Sequence, residues 1–273
     1  MKTDFSVLMS IYIKERPEYL RQALDSVIDQ TVAPSEIVMV KDGPLTDELE
    51  SVLKEYTERY PDLFNIVPLP ENKGLGLALA EGMLNCSNEL VARMDTDDIS
   101  RRDRFELQLK EFENDPELDI CGCHMLEFED TPDVIVAKRT VPLSDPDIKK
   151  YHRRRDGFNH ATVMFKRSSV LSAGNYKSCL LMEDTLLWVN MFKSGAKGKN
   201  IDDYLFYARI GKNLYERRGG YAYFKKYKNA RKIIYDTGYI TRWDYLYTVI
   251  IQFIIALIPN KLRGFIFKKI LHK

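Results

Sequence analysis

One stretch of the sequence decides the fold: Glu89-Leu90-Val91-Ala92-Arg93-Met94-Asp95-Thr96-Asp97-Asp98, an apolar strand pattern that runs into three carboxylates. Side chains two residues apart on an extended strand point the same way, so Asp95 and Asp97 share one direction. Carboxylates this close repel one another unless a cation lies among them, and Mg²⁺ and Mn²⁺ prefer carboxylate oxygens as ligands. The stretch therefore predicts a buried strand that ends at a site for a divalent metal and a diphosphate. The alternative is an acidic loop that caps the helix predicted to follow it.

Strand and helix patterns alternate on both sides of this stretch. Apolar runs predict strands over residues 5–10, 36–40, 64–69 and 89–94, and helical periodicity predicts helices over residues 17–30, 46–60, 75–85 and 104–114. This alternation predicts an α/β fold in which helices flank a mostly parallel sheet. Ligands of such sheets bind beyond the carboxyl ends of the strands. Asp42 follows the second strand, so we expect it to share one crevice with residues 95–98.

Beyond residue 114 the pattern is less regular. We expect strands over residues 119–123 and 160–166, irregular polar sequence as far as about residue 156, and a helix over residues 185–194. From Gly219 onward the sequence is helical, aromatic and basic. We therefore divide the chain into an α/β domain, residues 1–205, and a basic helical extension, residues 206–273.

The charge of the chain is distributed unevenly. The 273 residues are 45% hydrophobic and 30% charged, as in a globular protein of one large or two small domains. The net charge is +1, but residues 204–273 hold 15 lysines and arginines against 3 acidic residues, a net charge of +12, so residues 1–203 carry −11. A basic segment of this kind predicts an anionic partner, either nucleic acid or a membrane surface.

The cysteines and the N-terminus indicate a cytoplasmic protein. Cys86, Cys121, Cys123 and Cys179 lack the spacing of metal ligands, and we expect them to be reduced and mostly buried. The strand pattern that begins at Phe5 leaves no room for a signal peptide before it.

The loop Gly74-Leu75-Gly76 suggests an alternative interpretation, a dinucleotide-binding fingerprint. This loop opens a helix, and Asp95 closes the next strand about 20 residues later, as in that fingerprint. However, Leu79 occupies the third glycine position, where it would crowd the packing of the helix on the strand. One ribose-binding carboxylate would also leave two carboxylates unexplained, so the pattern disfavours a nicotinamide-dependent enzyme.

Eight motifs follow one another in a fixed order between residues 5 and 190. They include Val40-Lys41-Asp42-Gly43, Met94-Asp95-Thr96-Asp97-Asp98 and Met182-Glu183-Asp184-Thr185, together with residues 7–12, 24–31, 72–78, 104–108 and 160–165. Together they resemble the inverting glycosyltransferases of family 2, which have a GT-A fold and build bacterial surface polysaccharides. The resemblance implies transfer of a hexose or N-acetylhexosamine from a UDP-sugar, with a divalent metal (Mn²⁺ or Mg²⁺) as cofactor. Lys41 departs from the family pattern, in which an acidic residue is common there.

The resemblance also implies which residues bind the donor. The nucleotide site would comprise Ser10, Tyr12, Asp42, Asn72, Lys73 and Asp95, and the metal ligands would be Asp97 and Asp98. Asp42 would accept a hydrogen bond from the base, while the backbone N–H groups of residues 72–76, at a helix start, suit an anionic or ribosyl group. The metal would act as a Lewis acid that neutralises charge on the leaving UDP.

Asp184 is the predicted catalytic base, and Glu183 is the weaker candidate for the same role. Inversion needs a carboxylate opposite the leaving group to take the acceptor hydroxyl's proton, and the charge of Glu183 would raise the pKa of Asp184. The alternative is an aspartate that caps a helix starting at Thr185. Further candidates for contacts with the acceptor or diphosphate, each with a purely structural alternative, are His160, Trp188, Arg209 and Arg217.

The C-terminal sequence predicts contact with a membrane. Residues 245–258 are uncharged and largely apolar, but fall short of the ~20 residues needed to span a bilayer, and five cations follow: Lys261, Arg263, Lys268, Lys269 and Lys273. We expect helices that lie on an anionic membrane surface, or alternatively form a homo-oligomer contact. The protein would then sit on the inner face of the plasma membrane. Its acceptor would be a glycan or a polyprenyl-diphosphate-linked oligosaccharide, and we expect no nucleic-acid partner.

Two other functions stay open at this point. A nucleotidyltransferase also combines an α/β sheet with metal-binding carboxylates, although residues 11–15 do not form the basic, glycine-rich triphosphate loop it would need. A catalytically silent protein that binds a nucleotide-sugar or a lipid would keep the same fold. Replacement of Asp184 by asparagine separates the enzyme from the silent binder, because only the enzyme would lose turnover.

Overall fold

One mixed β-sheet carries the strands of this computed structural model, which describes residues 4–211 and 219–258. The strands are β1 (Phe5–Ile11), β2 (Glu36–Lys41), β3 (Phe64–Pro68), β4 (Leu90–Arg93), β5 (Ile99–Ser100), β6 (Ile120–Phe128), β7 (Ile135–Arg139), β8 (Met164–Lys166) and β9 (Gly198–Arg209). The helices are α1 (Pro17–Ile28), α2 (Asp47–Arg59), α3 (Leu75–Asn85), α4 (Arg104–Asn114), α5 (Asp145–His152), α6 (Arg167–Ser172), α7 (Glu183–Lys193), α8 (Gly220–Asp236) and α9 (Arg242–Leu257). A short 3₁₀ helix covers His160–Thr162.

The strand order is β3-β2-β1-β4-β8-β6-β9-β5, with β7 beside β6. β1 to β4 pair in parallel, as the alternation of strands and helices predicts. β8 then runs antiparallel to both β4 and β6, whereas β6 and β9 are parallel. The predicted α/β fold with flanking helices is confirmed; its sheet is parallel in the first half and mixed in the second.

The core lies on both faces of the central strand β1. Its apolar side chains, from Phe5 to Ile11, are completely buried because helices cover the two faces. On one face α1 packs its apolar stripe, and on the other α3 crosses so closely that a Cβ at Gly82 would lie 2.3 Å from Leu8 Cδ1. Glycine at position 82 therefore sets the distance between α3 and the sheet, which positions the start of α3 beside the strand ends.

Several elements differ from the sequence prediction. The region expected to be irregular as far as residue 156 contains β7 and α5, which begins after the N-cap Ser144. Residues 160–162 form a 3₁₀ helix, so only Met164–Lys166 of the strand predicted there is extended. β9 was not predicted, and it continues past residue 205, so the proposed domain boundary falls within a strand.

The C-terminal helices α8 and α9 pack on each other and on helix α7. α9 begins with a capping box in which Thr241 and Asp244 satisfy each other's backbone N–H groups. Among the described residues, no helix combines the length and the apolar character that crossing a membrane requires. Arg217 and the five cations predicted to follow α9 lie outside the described residues. All four cysteines are buried free thiols, as expected.

Candidate active site

A cleft of ≈ 770 Å³ lies where β1, β2 and β4 end. Ser10 and Tyr12 come from the end of β1, Asp42 follows β2, and Asp95 and Asp97 follow β4; all five line the cleft. The prediction that Asp42 and the acidic stretch share one crevice is therefore confirmed.

The three carboxylates of the acidic stretch form one cluster. Asp95, Asp97 and Asp98 each offer a carboxylate oxygen, and these oxygens lie within 4.8 Å of one another. Burial, and then the charges of Asp97 and Asp95, raise the pKa of Asp98 well above its usual value. Burial and the charges of Asp95 and Glu15 raise the pKa of Asp97 to about 7. A divalent cation would relieve this repulsion and find its preferred oxygen ligands, so these residues fit Mg²⁺ or Mn²⁺.

The buried side chain of Arg93 binds the carboxylate of Asp95. The Arg93 guanidinium donates two hydrogen bonds to the Asp95 carboxylate, one of them 2.5 Å long from Nη1 to Oδ2. Arg93 is only 2% exposed, and its Nε has no hydrogen-bond partner within the described part of the chain. This pair of hydrogen bonds holds the Asp95 carboxylate in one orientation, because two parallel bonds fix the plane of the carboxylate as well as its distance from the guanidinium.

Arg209, at the end of β9, forms hydrogen bonds with two residues of the acidic cluster, Asp97 and Asp98. Its backbone N–H donates to Asp98 Oδ1 at 2.7 Å, and its Nε donates to the Asp97 carbonyl oxygen at 3.0 Å. The guanidinium lies 3.9 Å from the ring centroid of Tyr19 and 4.5 Å from that of Phe128. Arg209 therefore lines the cleft, and its contacts hold the acidic stretch in place; its predicted contact with the acceptor or diphosphate stays a prediction.

Asp42 organises the loop that opens α3. Its two carboxylate oxygens accept hydrogen bonds from the backbone N–H groups of Lys73, at 2.6 Å, and Gly74, at 3.1 Å. The side-chain amide of Asn72 donates to the Asp42 carbonyl oxygen at 3.1 Å. We expected the backbone N–H groups of this loop to bind a ligand, but those of Lys73 and Gly74 donate to Asp42 instead. The Lys73 side chain is exposed and is not part of the cleft wall.

Gly43 allows this loop to approach the strand end. Its φ of +87° lies in the left-handed region, and a Cβ there would lie 2.8 Å from the backbone nitrogen of Asn72. Only glycine satisfies both conditions without strain. The Asp42-Gly43 pair thus combines a carboxylate that binds the loop with a residue that lets the loop come close.

The candidate base lies in the first turn of α7. Burial, then the charges of Asp156 and Glu183, raise the pKa of Asp184 to about 7. The Glu183 charge contributes as expected, and Asp156 is a neighbour that the sequence did not reveal. Asp156 accepts a hydrogen bond from Thr185 Oγ1 at 2.5 Å, while the Thr185 backbone N–H donates to Asp184 Oδ1 at 2.8 Å. The helix starts at Glu183, so Asp184 lies inside it and Met182 occupies the N-cap position.

The start of α7 adjoins the wall of the cleft. A Cβ at Gly76 in the first turn of α3 would lie 2.9 Å from Glu183 Cβ, so the two helix starts touch. Burial and the charges of Asp156 and Glu183 outweigh the positive charge of Arg93, which lowers the pKa of Asp184.

The sequence profile of the family described as Glycosyl transferase family 2 matches residues 6–173, which include the acidic cluster and most of the residues that line the cleft. The chain belongs to glycosyltransferase family 2. This glycosyltransferase is 37% identical over 269 residues to the UDP-Gal:α-D-GlcNAc-diphosphoundecaprenol β-1,3-galactosyltransferase of Escherichia coli, covering 98% of this chain and 97% of that protein. It is also 37% identical over 268 residues to the amylovoran biosynthesis glycosyltransferase AmsE of Erwinia amylovora, covering 97% and 98%.

A solved structure supports the fold of the glycosyltransferase. The mannosyltransferase PcManGT of Pyrobaculum calidifontis, in complex with GDP-Man and Mn²⁺, superimposes with a TM-score of 0.65 at 15% identity. The match covers 96% of this chain and 72% of that one. At this identity the likeness establishes the GT-A fold that the motifs implied.

Two predicted ligand contacts of the glycosyltransferase have structural roles instead. Trp188 is completely buried among Phe158 and Phe165, so the prediction that it contacts the acceptor or diphosphate is wrong. Its indole belongs to the apolar face of α7, as hydrophobic periodicity would also suggest. His160 Nε2 lies 2.9 Å from the Tyr176 hydroxyl and its ring packs on Trp188, outside the cleft wall. Burial lowers the pKa of His160 well below its usual value, so it is neutral.

Several site residues of the glycosyltransferase escaped the sequence analysis. Arg93 stands two positions before Asp95, so the strand alternation applied to Asp95 and Asp97 also places it on their side of the sheet. An arginine inside an apolar run was the available signal. Lys14 lines the cleft as an exposed cation. Asp156 gave no signal, because only the tertiary fold brings it to the start of α7.

Proposed function

We propose that this glycosyltransferase transfers a hexose or N-acetylhexosamine, with inversion, from a UDP-sugar to a lipid-linked glycan in polysaccharide biosynthesis. The observation that carries the proposal is the pairing of a carboxylate cluster in the cleft with a separate carboxylate of raised pKa, Asp184. Support for the donor and acceptor comes from two relatives. One is named for transfer from UDP-Gal to GlcNAc-diphosphoundecaprenol, and the other for amylovoran biosynthesis.

The donor would lie in the cleft with its diphosphate at the acidic cluster. Asp97 and Asp98 would hold the divalent metal, and Asp95, oriented by Arg93, would contact the ribose. When bound, the metal would neutralise the charge that develops on the leaving diphosphate. Asp42 keeps the loop at residues 72–74 against the nucleotide pocket, so its role at the base would include shaping the wall that the base meets.

The chemical step would use Asp184 as a general base. The acceptor hydroxyl oxygen forms the new bond to the anomeric carbon from the side opposite the leaving group, and the carbon–oxygen bond to the diphosphate breaks. The hydroxyl proton passes to the Asp184 carboxylate, whose pKa of about 7 suits proton transfer near neutral pH. Glu183, whose pKa is also raised by burial, remains the weaker candidate for this role.

The domain division and location are part of the same proposal. We divided the chain at residue 205, but β9 runs to Arg209 and Arg209 lines the cleft, so the catalytic domain would extend to the end of β9 and the basic extension would follow it. The enzyme would work in the cytoplasm at the inner face of the plasma membrane, where a lipid-linked acceptor is accessible. A homo-oligomer formed through the C-terminal helices is the competing use of that extension.

The test is a transfer assay with UDP-sugars and a synthetic acceptor in which GlcNAc is joined through a diphosphate to a short lipid. We expect metal-dependent transfer and, by NMR of the product, an anomeric configuration opposite to that of the donor. Asp184→Asn should lower kcat by about 10²–10⁴-fold while donor binding persists. Asp62→Asn, at an exposed position between α2 and β3, should behave as wild type. Retention of configuration, or UDP binding without turnover on any acceptor, would contradict the proposal.

A further inference from the structure

An apolar stripe runs along the exposed side of α9. Trp243, Tyr247, Ile250, Ile254 and Leu257 recur every three or four residues, so they lie on one face of the helix. Their exposure ranges from 50% at Ile254 to 77% at Trp243. Apolar side chains this exposed and this regularly spaced indicate a surface that meets an apolar phase or partner.

The opposite face of α9 is already occupied by the protein. Asp244 and Thr248 are buried there, and Thr248 Oγ1 accepts a hydrogen bond from Arg231 Nε of α8 at 3.2 Å. Asp244 receives hydrogen bonds from Arg153 and Arg154, which follow α5. The orientation of α9 is therefore fixed, and its apolar stripe faces away from the catalytic domain.

A basic pocket of ≈ 520 Å³ lies at the N-terminal end of the stripe, where Tyr247 forms part of both. The charged residues in its wall are Lys150, Arg153, Arg154 and Arg155, opposed by Asp147 and Asp244. Four cations against two carboxylates leave an excess of positive charge. Arg155 stacks over the Tyr151 ring at 5.5 Å and no ion pair occupies Lys150 within the described residues. Guanidinium and ammonium groups of this kind bind phosphate oxygens.

We propose that the stripe and the basic pocket form one surface that docks on a bilayer of anionic phospholipid. The apolar side chains would enter the interface between headgroups and acyl chains, and the pocket would bind headgroup phosphates. Trp243 and Tyr247 stand at the basic end of the stripe, where aromatic residues with a polar atom suit the headgroup level. The inference rests on the proposed function, since a lipid-linked acceptor gives the enzyme its substrate at that surface.

Charge favours a bilayer over a second copy of the chain as the occupant. The sequence after α9, residues 259–273, holds five lysines and arginines and no acidic residue. Two such surfaces facing each other would repel, whereas an anionic bilayer attracts both the pocket and the C-terminal cations.

Docking would also bring lipid phosphates near the candidate base. Arg153, Arg154 and Arg155 directly precede Asp156, which is hydrogen-bonded to Thr185 beside Asp184. A segment of four residues thus connects the proposed headgroup site with the start of α7. The surface that holds the bilayer and the turn that holds the base are therefore built from one continuous piece of chain.

The experiment is flotation of the full chain with vesicles of phosphatidylcholine alone or mixed with phosphatidylglycerol. We expect binding to the mixed vesicles, weak binding to the neutral ones, and a decrease with salt. Lys150→Gln with Arg155→Gln, two pocket cations that do not pair with Asp244 in the described part of the chain, should weaken binding about 30-fold, from the known contribution of single cations near an anionic surface. The matched control is Lys54→Gln with Arg59→Gln, two exposed cations of α2, which should bind as wild type.

A second variant tests the apolar stripe by replacing Trp243, Ile250 and Ile254 with serine. Its control is Leu84→Ser on α3, whose side chain is 57% exposed. We expect loss of vesicle binding only for the stripe variant. Absence of flotation, equal binding to neutral vesicles, or equal binding by the stripe variant would overturn the proposal. So would a dimer in sedimentation velocity that the stripe variant disperses while vesicles bind neither protein. UDP binding by the wild type, measured separately, reports on the proposed function alone.

Discussion

At the scale of single residues, the site depends on buried charges that are held by geometry. Arg93 and Arg104 are both almost completely buried beneath the acidic stretch. Arg104 donates to the Arg93 carbonyl oxygen at 2.9 Å and to Gln108, whose amide reaches the carbonyl oxygen of Cys121 at 2.8 Å. These hydrogen bonds connect β4 with α4 and β6, so the two arginines and Gln108 set the position of β4 relative to both elements.

Arg93→Lys should damage both stability and catalysis. Lysine keeps the positive charge but cannot donate the two parallel hydrogen bonds that the Arg93 guanidinium makes to Asp95. The variant would also bury an ammonium group with fewer hydrogen-bond partners. We expect the free energy of unfolding to fall by about 2–4 kcal/mol, and the affinity for UDP to fall as well. Urea denaturation and calorimetry measure the two effects. Arg102→Lys, at a side chain 71% exposed, should change stability by less than about 0.5 kcal/mol. Equal behaviour of the two variants would refute the role given to Arg93.

Asp184 should impose a pH dependence on the reaction. Its carboxylate must be ionised to take a proton, and its pKa is raised to about 7, so kcat/KM should rise about tenfold per pH unit below that value and level off above it. Asp184→Asn should remove this rise and lower kcat by about 10²–10⁴-fold. An unchanged pH profile in the variant would exclude Asp184 as the base.

The same shift predicts a gain in stability for Asp184→Asn. Between its unfolded pKa and about 7, the folded state holds a proton on Asp184 that the unfolded state has released, so stability falls as pH rises through that window. Above pH 7 the wild type therefore carries the full penalty, and asparagine removes it. We expect the variant to be more stable by about 2–4 kcal/mol at pH 8 and equal to wild type below about pH 3, as measured by denaturant titration.

At the scale of elements, the strand-to-loop junctions create the cleft. The junction after β2 combines Asp42, which binds the backbone of residues 73 and 74, with Gly43, which lets that loop approach. The acidic stretch follows β4. The pairing of β5 with β9 places Arg209 beside this stretch, where its backbone N–H binds Asp98. The wall of the nucleotide pocket is therefore held by contacts between loops that are distant in sequence.

Gly43→Ala tests the first junction. The new Cβ would strain a φ of +87° and push the backbone at Asn72 away, so the loop should move and UDP should bind about tenfold more weakly. Gly195→Ala is the matched control, because its φ is +93° but no atom of residues 4–211 or 219–258 lies within 4 Å of the new Cβ. Both should lose about 1 kcal/mol or more of stability by thermal melting, whereas only Gly43→Ala should lose UDP affinity in calorimetry. Comparable affinities would show that the loop does not shape the site.

The periodicity of the sequence predicted the strands β1 to β4 and the helices α1 to α4, because each shows one dominant period, but not the two-residue strand β5 between β4 and α4. It did not predict β9, in which the polar residues Asp202 and Asp203 interrupt the apolar pattern, and which pairs with β5 and β6. It also missed α5, a short helix whose only cues are the cap at Ser144 and the proline that follows. These elements depend on tertiary pairing, which local periodicity does not report.

At the scale of the whole molecule, Asp244 strengthens the attachment of the C-terminal helices, which also pack on α7 through an apolar cluster. Asp244 is 2% exposed and accepts hydrogen bonds from Arg153, Arg154 and Thr241. Burial alone would raise the pKa of Asp244, but these hydrogen bonds outweigh it and hold the pKa well below its usual value. The attachment therefore contributes stability above the ordinary aspartate range and loses it as pH falls through the lowered pKa.

Asp244→Asn should loosen α8 and α9 from the rest of the protein. The loss of a carboxylate with three partners should reduce the free energy of unfolding by about 2 kcal/mol at neutral pH. Amide hydrogen exchange should increase across α9 more than across β1. Asp236→Asn, in an exposed pair with Lys232, should leave both quantities near wild type. Uniform exchange changes across the two helices and the sheet would contradict this role.

The site as a whole was only partly predictable. The acidic stretch and Asp42 could be located because strand ends in an α/β sheet meet at one edge. The engagement of the loop amides by Asp42, the burial of Trp188 and the proximity of Asp156 to Asp184 each depend on how distant segments pack. Residue type and spacing do not specify these contacts.

The most direct test of the central claim is calorimetric binding of UDP, GDP, CDP and NAD, each with and without Mn²⁺. The arrangement of Asp95, Asp97 and Asp98 predicts that UDP binds only with metal and that Asp97→Ala abolishes this binding. Preference for GDP or CDP would keep the metal site and replace the donor. Metal-independent binding of NAD, or UDP binding that survives both removal of the metal and Asp97→Ala, would contradict the claim that the acidic cluster holds the diphosphate of a UDP-sugar.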